Sequence, residues 1–440
     1  MALQTKKSVI FTLLANACRL LLSLVLIVSG FVKAVDPVGF TYKLQEYAAA
    51  FSVDVFSDDW LLFFAIIQAM LEFLLGVFML MGVYRKFISV FAFVMMLAFT
   101  LFTSYIYIAS PVDDCGCFGE ALIFSNGATL TKNVILLLLS IVVFLGRRRF
   151  VWYITSKSRW MVVIYSLFYI CLVEGLSLSS LPVLDFRPYA VGNNLREMVE
   201  SVPEVYEVKL VYEKDGEKRE FAQDNAPDSS WVFVESRTEL VKEGSKALIG
   251  DFAIIDWQTD EDIASQVLAD TGYVYLVAIE FMEKASVSRV DKINDLYDYC
   301  VENGIPFYAM TSSGEEEIDL WRRRTGAEYP IYWSGNTMLR TMVRSNPGVV
   351  LLNNGIVVGK WNSESIPDVE NLSVSPAETF DKLGISTAEM HGWGFWMLVL
   401  CLPLLLIVLI DALVARAGRK KPKTESVETD KEQENKTSDK

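Results

Sequence analysis

The residues best suited to chemistry in this chain are two thiols held one glycine apart, in the string Asp113-Asp-Cys-Gly-Cys-Phe-Gly119. A disulfide closed over a single residue needs a tight turn, because the two α-carbons must come within about 7 Å. Gly116 removes the steric barrier to that turn. A ring so small is expected to be strained, and strained disulfides are the oxidising, exchangeable ones. Asp113 and Asp114 oppose this, since nearby negative charge raises a thiol pKa and slows its attack. Three readings of Cys115 and Cys117 follow: thiol–disulfide exchange, a static disulfide bracing the loop, and metal binding. The third is the least complete, because two thiolates with no nearby histidine make only half of a zinc site. No metal is assigned. Of the other cysteines, Cys18, Cys171 and Cys401 fall in apolar runs, where a thiol packs as a small apolar group, and Cys300 falls in an expected helix as a core residue.

The elements that must position these thiols are apolar runs. Six segments, about 8–32, 60–82, 87–109, 130–146, 160–181 and 393–414, have the length and composition to cross a hydrocarbon core of roughly 30 Å. Lys6 and Lys7, Arg85 and Lys86, Arg147–Arg149 with Lys157 and Arg159, and the bases from Arg416 to Lys423 then all lie on one side. By the positive-inside rule that side is the cytoplasm. Segments 33–59, 110–129 and 182–390 face outward, which in a bacterial inner membrane is the oxidising periplasm, where a disulfide persists. The first run is too long, and too poor in cleavage signals, for a signal peptide.

Net charge is −14, and residues 182–390 alone carry 37 acidic and 19 basic residues. So acidic an outer segment excludes nucleic acid as a partner and disfavours an anionic lipid surface. The last 20 residues are rich in lysine and glutamate without apolar periodicity, as in a disordered tail. Arg19 and Glu72 fall near the middle of antiparallel spans one and two. A lone charge there costs a few kcal/mol, so the two are expected to pair. The pair serves either as a structural tie or as a proton or quinone site beneath the cysteine loop. In 39–56, the spacing of Phe40, Leu44, Tyr47, Ala48 and Phe51 predicts an amphipathic helix at the outer interface, a cover for the bundle or a lid over the cysteines.

Residues 8–149 resemble the DoxX/MauE family of four-helix membrane proteins. The resemblance rests on Arg19, Ser29-Gly-Phe-x-Lys33, Asp36-Pro37, Glu72 with Gly76 and Gly82, and above all Cys115-Gly-Cys-Phe-Gly119. It implies a redox-associated membrane protein, of a kind implicated in maturing a disulfide-rich periplasmic subunit.

In the outer half, Val205–Tyr212, Lys214-Asp-Gly216 and Lys218–Phe221 read as a hairpin, with a further strand at Trp231–Glu235. Strands are expected at Tyr273–Glu280, Ile305–Met310, Tyr329–Trp333, Val349–Leu352 and Ile356–Trp361, the last two joined by the turn Asn353-Asn-Gly355. Helices are expected at Val287–Val301, Ile318–Arg324 and Thr337–Val343. This order resembles the thioredoxin fold, with Asp251–Ile255 as its opening strand and Asn346-Pro347 at the place of that fold's cis proline. The fold's Cys-x-x-Cys is replaced by Met282-Glu-Lys-Ala-Ser286. The resemblance therefore implies a module without its own dithiol, whose groove at Asn346 and Pro347 holds an extended client by strand addition.

The expected architecture is an α-helical membrane bundle with an α/β extracytoplasmic domain. It divides into a four-helix bundle (1–150), a fifth span (151–184), an α+β lead-in (185–247), the thioredoxin-like domain (248–366), a linker (367–392), a sixth span (393–415) and a cytoplasmic tail (416–440). The single histidine, His391, argues against a Ser-His-Asp site or a histidine-based metal site, and no phosphate or dinucleotide loop is present. Two functions follow. One is a redox protein that presents Cys115 and Cys117 to a periplasmic client, with a quinone as the conceivable acceptor. The other is a non-catalytic assembly factor or receptor with a structural disulfide.

Overall fold

The computed structural model describes residues 2–419 except 54, 113–114, 120, 123, 202–204, 215, 223–226, 228–229, 243–246 and 373–391. His391, the linker from 373, the tail beyond 419 and the two aspartates before Cys115 therefore lie outside the described residues. The chain begins with α1 (Ala2–Val35), α2 (Pro37–Ala50), α3 (Asp58–Met81), α4 (Arg85–Ala109), α5 (Asn126–Gly146) and α6 (Arg159–Ser179). It continues through α7 (Leu195–Val199), β1 (Val205–Lys214), β2 (Glu217–Ala222), β3 (Val232–Lys242), α8 (Ala264–Ala269), β4 (Tyr273–Ile279) and α9 (Val290–Asn303). Then come β5 (Phe307–Thr311), α10 (Glu315–Thr325), β6 (Ile331–Trp333), α11 (Asn336–Met342), β7 (Gly348–Asn353), β8 (Ile356–Asn362) and α12 (Trp393–Arg419). Two units result, Met1–Leu184 with Ala388–Lys440, and Asp185–Thr387.

In the first unit α1, α3, α4, α5, α6 and α12 are long and apolar enough to span a bilayer. The fourth span starts earlier than its apolar run, at Asn126, because Ser125 caps it and accepts from the Ala128 amide. Two glycines let α1 and α3 touch backbone to backbone. A β-carbon on Gly30 would sit 2.4 Å from the Phe73 nitrogen, and one on Gly76 would sit 2.7 Å from the Ile27 nitrogen. The helix after α1 is shorter than its apolar spacing suggests. Asp36 and Pro37 start it, Asp36 accepting from the Gly39 amide at 2.8 Å, and it stops at Ala50. The sixth span is tied to the start of α6 by Asp411, which accepts from the Thr155 amide at 2.8 Å and from the Thr155 and Ser158 hydroxyls. Phe31, Phe73, Tyr169, Val173 and Trp396 fill the core these helices share.

The second unit holds two sheets. β2-β1-β3 is antiparallel throughout, so Val232–Lys242 extends the expected hairpin by a full strand. The other sheet has the order β6-β5-β4-β7-β8, with β4, β5 and β6 parallel and β7 and β8 antiparallel. Its strands are continuous apolar runs because both faces are covered, Tyr275, Val277, Ile293, Leu296, Trp321 and Leu351 forming one core. Asp251–Ile255 is not a strand: Ile255 makes isolated bridges to Asp262 and to Trp333, the latter blunting the β6 edge. The β8 edge is capped in the same way by residues 192–195. A buried charge cluster holds the start of the unit: Asp185 accepts from Arg187 Nε at 2.6 Å and from Lys360 Nζ at 2.7 Å. Both cations pull its carboxyl far below the usual range in spite of its burial, while burial leads in pulling Lys360 down to about 7.

Candidate functional site

The loop between α4 and α5 folds back on itself through two glycines with left-handed backbone, Gly116 (φ +57°) and Gly119 (φ +53°), closed by the Gly119 amide donating to the Gly116 carbonyl at 3.0 Å. This turn brings the sulfurs of Cys115 and Cys117 to 2.7 Å, both as free thiols. The loop is held from three sides. From α2, the Tyr47 hydroxyl donates to the Cys115 carbonyl at 2.6 Å, and Lys43 lies where a β-carbon on Gly116 would fall. On α5, Asn126 donates to the Val112 carbonyl at 2.9 Å. The Ser29 hydroxyl of α1 lies 2.8 Å from the Cys117 carbonyl. The predicted amphipathic helix is thus in contact with the cysteines.

The two thiols are not equivalent. The hydrogen bond between the two sulfurs, in which either can be the donor, with help from Thr129 and the charge of Lys132, pulls Cys115 down to about 6 against the cost of burial. The same bond, together with burial, pushes Cys117 well above an ordinary thiol, against the charges of Lys132 and Lys33. These opposite shifts favour Cys115 as the thiolate of the pair. Thr129 and Lys132 stand one turn apart on one face of α5. Lys132 is steadied over the Phe118 ring, 4.5 Å from its centroid. Cys115, Cys117, Gly119, Leu122, Phe124 and Thr129 line a small opening at the sulfurs.

Beneath the loop lies a buried ion pair, and it is not the expected one. Glu72 pairs with Lys33, Oε2 to Nζ 2.5 Å, both side chains nearly inaccessible. The Ser29 hydroxyl accepts from Lys33 at 3.1 Å and lies 3.0 Å from Glu72 Oε2. Arg19 does not take part. The register set by Gly30 on Phe73 and Gly76 on Ile27 brings Arg19 level with Gly82, past the end of α3. The stretch from Arg19 to Lys33 is about 21 Å of helix rise. Arg19 instead donates to the Val151 carbonyl at 2.8 Å and packs on the rings of Phe150 and Tyr153, near the C-terminal end of the α3 dipole. Glu174 is buried within the bundle. An apolar groove between α2, α3 and α4 is lined by Tyr47, Phe51, Phe64, Phe99 and Phe102. Gln68 is its one amide side chain, so it gives a quinone ring few polar partners.

In the second unit, Asn346–Pro347 is a cis peptide and Pro347 is buried. The Asn346 carbonyl accepts from the Ser286 amide at 2.9 Å and the Pro347 carbonyl from the Ser345 hydroxyl at 2.6 Å. A client strand added here would have to share or displace these bonds. Along the stretch after β4, Ser313 accepts from the Met282 amide at 2.9 Å and donates to Glu283 at 3.1 Å. Cys300 is core, and burial pushes its thiol up to about 12. Among the described residues no three His, Cys, Asp or Glu side chains converge as a metal site.

Lys33, Ser29, Thr129 and Lys132 were the residues without an assigned role. The signal for Lys33 was present, a cation four residues after a serine at the outer end of a span and so on the same helix face. Lys132 is likewise three residues after Thr129.

Residues 11–146 match the family model described as methylamine utilisation protein MauE, and residues 206–243 match a domain of unknown function (DUF8463). No curated protein and no solved structure matches the chain. The match covers the bundle from α1 to α5, and with it the cysteine loop and the Lys33–Glu72 pair.

Proposed function

We propose that this protein is a membrane thiol–disulfide exchange protein that supports maturation of extracytoplasmic proteins, with Cys115 as nucleophile and Cys117 as resolving thiol. The observation that carries the reading is the geometry of the pair: two free thiols in contact at 2.7 Å in a loop turned by Gly116 and Gly119, with Thr129 and Lys132 beside them favouring charge on Cys115. A lowered thiol pKa raises the nucleophilic fraction at neutral pH, and a second thiol within reach releases a trapped client. The basic residues that flank the spans on one side support a cytoplasmic location for those ends and a periplasmic location for the cysteine loop in a bacterial inner membrane.

The second unit serves this chemistry as a non-catalytic, thioredoxin-like module that engages the client. Three parallel strands followed by two antiparallel ones, in the order β6-β5-β4-β7-β8, support the fold assignment. The Phe281–Ser286 stretch without cysteine supports the non-catalytic one. Asn346 and Pro347 border the groove assigned to the client.

Trapping tests the reading. Cys117→Ser leaves the nucleophile without its resolving partner, so it should accumulate a mixed disulfide with a client, visible as a reductant-sensitive band on a non-reducing gel. Cys115→Ser should accumulate much less. Absence of an adduct in both variants, with a double serine variant that behaves as wild type, contradicts the exchange function.

A further inference from the structure

Disulfide formation from a dithiol releases two protons. In the proposed exchange one comes from Cys115, the attacking thiol, and goes to solvent. The other is on Cys117, whose loop is packed against α1 and α2. Two facts place a partner for that proton directly under the loop. Lys33 and Glu72 form an ion pair in which both side chains are almost fully inaccessible. Ser29 joins that pair to the loop, touching Lys33, Glu72 and the Cys117 carbonyl at 3.1, 3.0 and 2.8 Å. A structural tie between α1 and α3 would not need a third member bonded to the backbone of a reactive cysteine.

We propose that Lys33 and Glu72 are the charge and proton partners of Cys117: Glu72 takes up the proton Cys117 loses, and Lys33, released from the carboxylate, holds the Cys117 thiolate. Ser29 is a positioning residue that keeps the loop on the pair. The inference deepens the exchange function and rests on it for its chemical sequence. In that sequence the Cys115 thiolate attacks a client disulfide. The client S–S bond breaks, a Cys115–client bond forms, and the freed client sulfur leaves as a thiolate that takes a proton from water. Cys117 then gives its proton to Glu72 and attacks Cys115. The Cys115–Cys117 bond forms, the Cys115–client bond breaks, and the second client sulfur departs as thiolate. Two electrons pass from the dithiol to the client disulfide, and the reverse sequence oxidises a client dithiol.

Among the described residues, the charged groups that face the Cys117 loop are Cys115 itself, Lys132 on α5, Lys33 on α1, Glu72 on α3, and on α2 Lys43 with its partner Glu46. Within this set the substitution of Lys33 and that of Glu72 act with opposite sign on a Cys117 thiolate, and that opposition separates a charge role from a structural one.

The test is the alkylation rate of Cys117 in the full-length protein carrying Cys115→Ser, in lipid nanodiscs, with iodoacetamide as probe and mass spectrometry of the Cys117 peptide as readout. No client enters, so the outcome is independent of the trapping experiment. Lys33→Met removes the cation and should slow alkylation about tenfold at pH 7, the change one unit of thiol pKa produces. Glu72→Gln keeps the shape, leaves Lys33 unneutralised and should speed it. Lys33→Arg should stay near the parent rate. Slowing by both Lys33→Met and Glu72→Gln, acceleration by both, or no change in either overturns the proposal. If Lys33→Met fails to fold, the Glu72→Gln rate alone decides, and a rate at or below the parent overturns it.

Discussion

A thiol that shares a hydrogen bond with a second thiol can carry its negative charge at a lower pH than one in water, and that bond is the leading cause that lowers Cys115. The thiolate is the form present above the pKa, so Cys115 reactivity should rise with pH through about 6 and be lost below it. Alkylation of Cys115 against pH measures this directly. Cys117→Ala removes the bond between the sulfurs and should carry the midpoint up toward an ordinary thiol, about 8.5, whereas an unchanged midpoint would mean that Thr129 and Lys132 alone hold the charge. At this scale much of the site was legible. Gly116 between two cysteines announces a tight turn, and a carboxylate inside an apolar run announces a partner. The partner itself was not legible. Arg19 and Lys33 both lie in α1, and only the packing of Gly30 against Phe73 determines which of them stands level with Glu72. Thr129 and Lys132 escaped notice because nothing local connects the start of α5 with a loop folded back by Gly116 and Gly119.

The α1–α3 contact is the element that places the charges. Gly30 admits no side chain there, because the atoms facing it are the nitrogen and α-carbon of Phe73 and the carbonyl of Ala69, all backbone. Gly30→Val should push the helices apart and cost about 1–3 kcal/mol, as overpacking does. Thermal unfolding in detergent should show a lower midpoint, and the Lys33–Glu72 contact should loosen with it. A midpoint equal to wild type would show that the helices can slide without loss. The six spans were readable from apolar length, since no other element needs about 20 such residues in a row. The strands of the five-stranded sheet were readable for a related reason: coverage on both faces leaves β4 and β7 almost wholly apolar. The elements misread are those that local pattern does not determine. Asp251–Ile255 has the residues of a strand but finds a ladder partner at only one position. In the other sheet, β3 continues well past Glu235 because β1 offers it partners as far as Val205.

For the whole molecule, a helical bundle holds the cysteine loop and a separate α/β unit without a Cys-x-x-Cys is carried between its fifth and sixth spans. Tethering on both sides confines that unit near the membrane and raises its effective concentration at any site there. Residues 182–390 carry a net charge of −18, from 37 acidic and 19 basic residues; under the proposed function this charge would favour clients with a basic surface. The division into a unit of apolar spans and a separate α/β unit was legible from composition alone, since apolar runs stop at residue 181 and resume at 393. Which client the second unit would engage under the proposed function is a matter of surface detail that periodicity does not encode. The central claim, that Cys115 and Cys117 exchange electrons with client thiols, is tested most directly by their redox state in living cells. Cells are quenched in acid and free thiols tagged with a reagent that adds mass, so the dithiol and disulfide forms separate on a gel. The account predicts both forms together, with the ratio shifting when disulfide-rich extracytoplasmic proteins are overproduced. A pair found wholly in one form, and unmoved by that load, would contradict it.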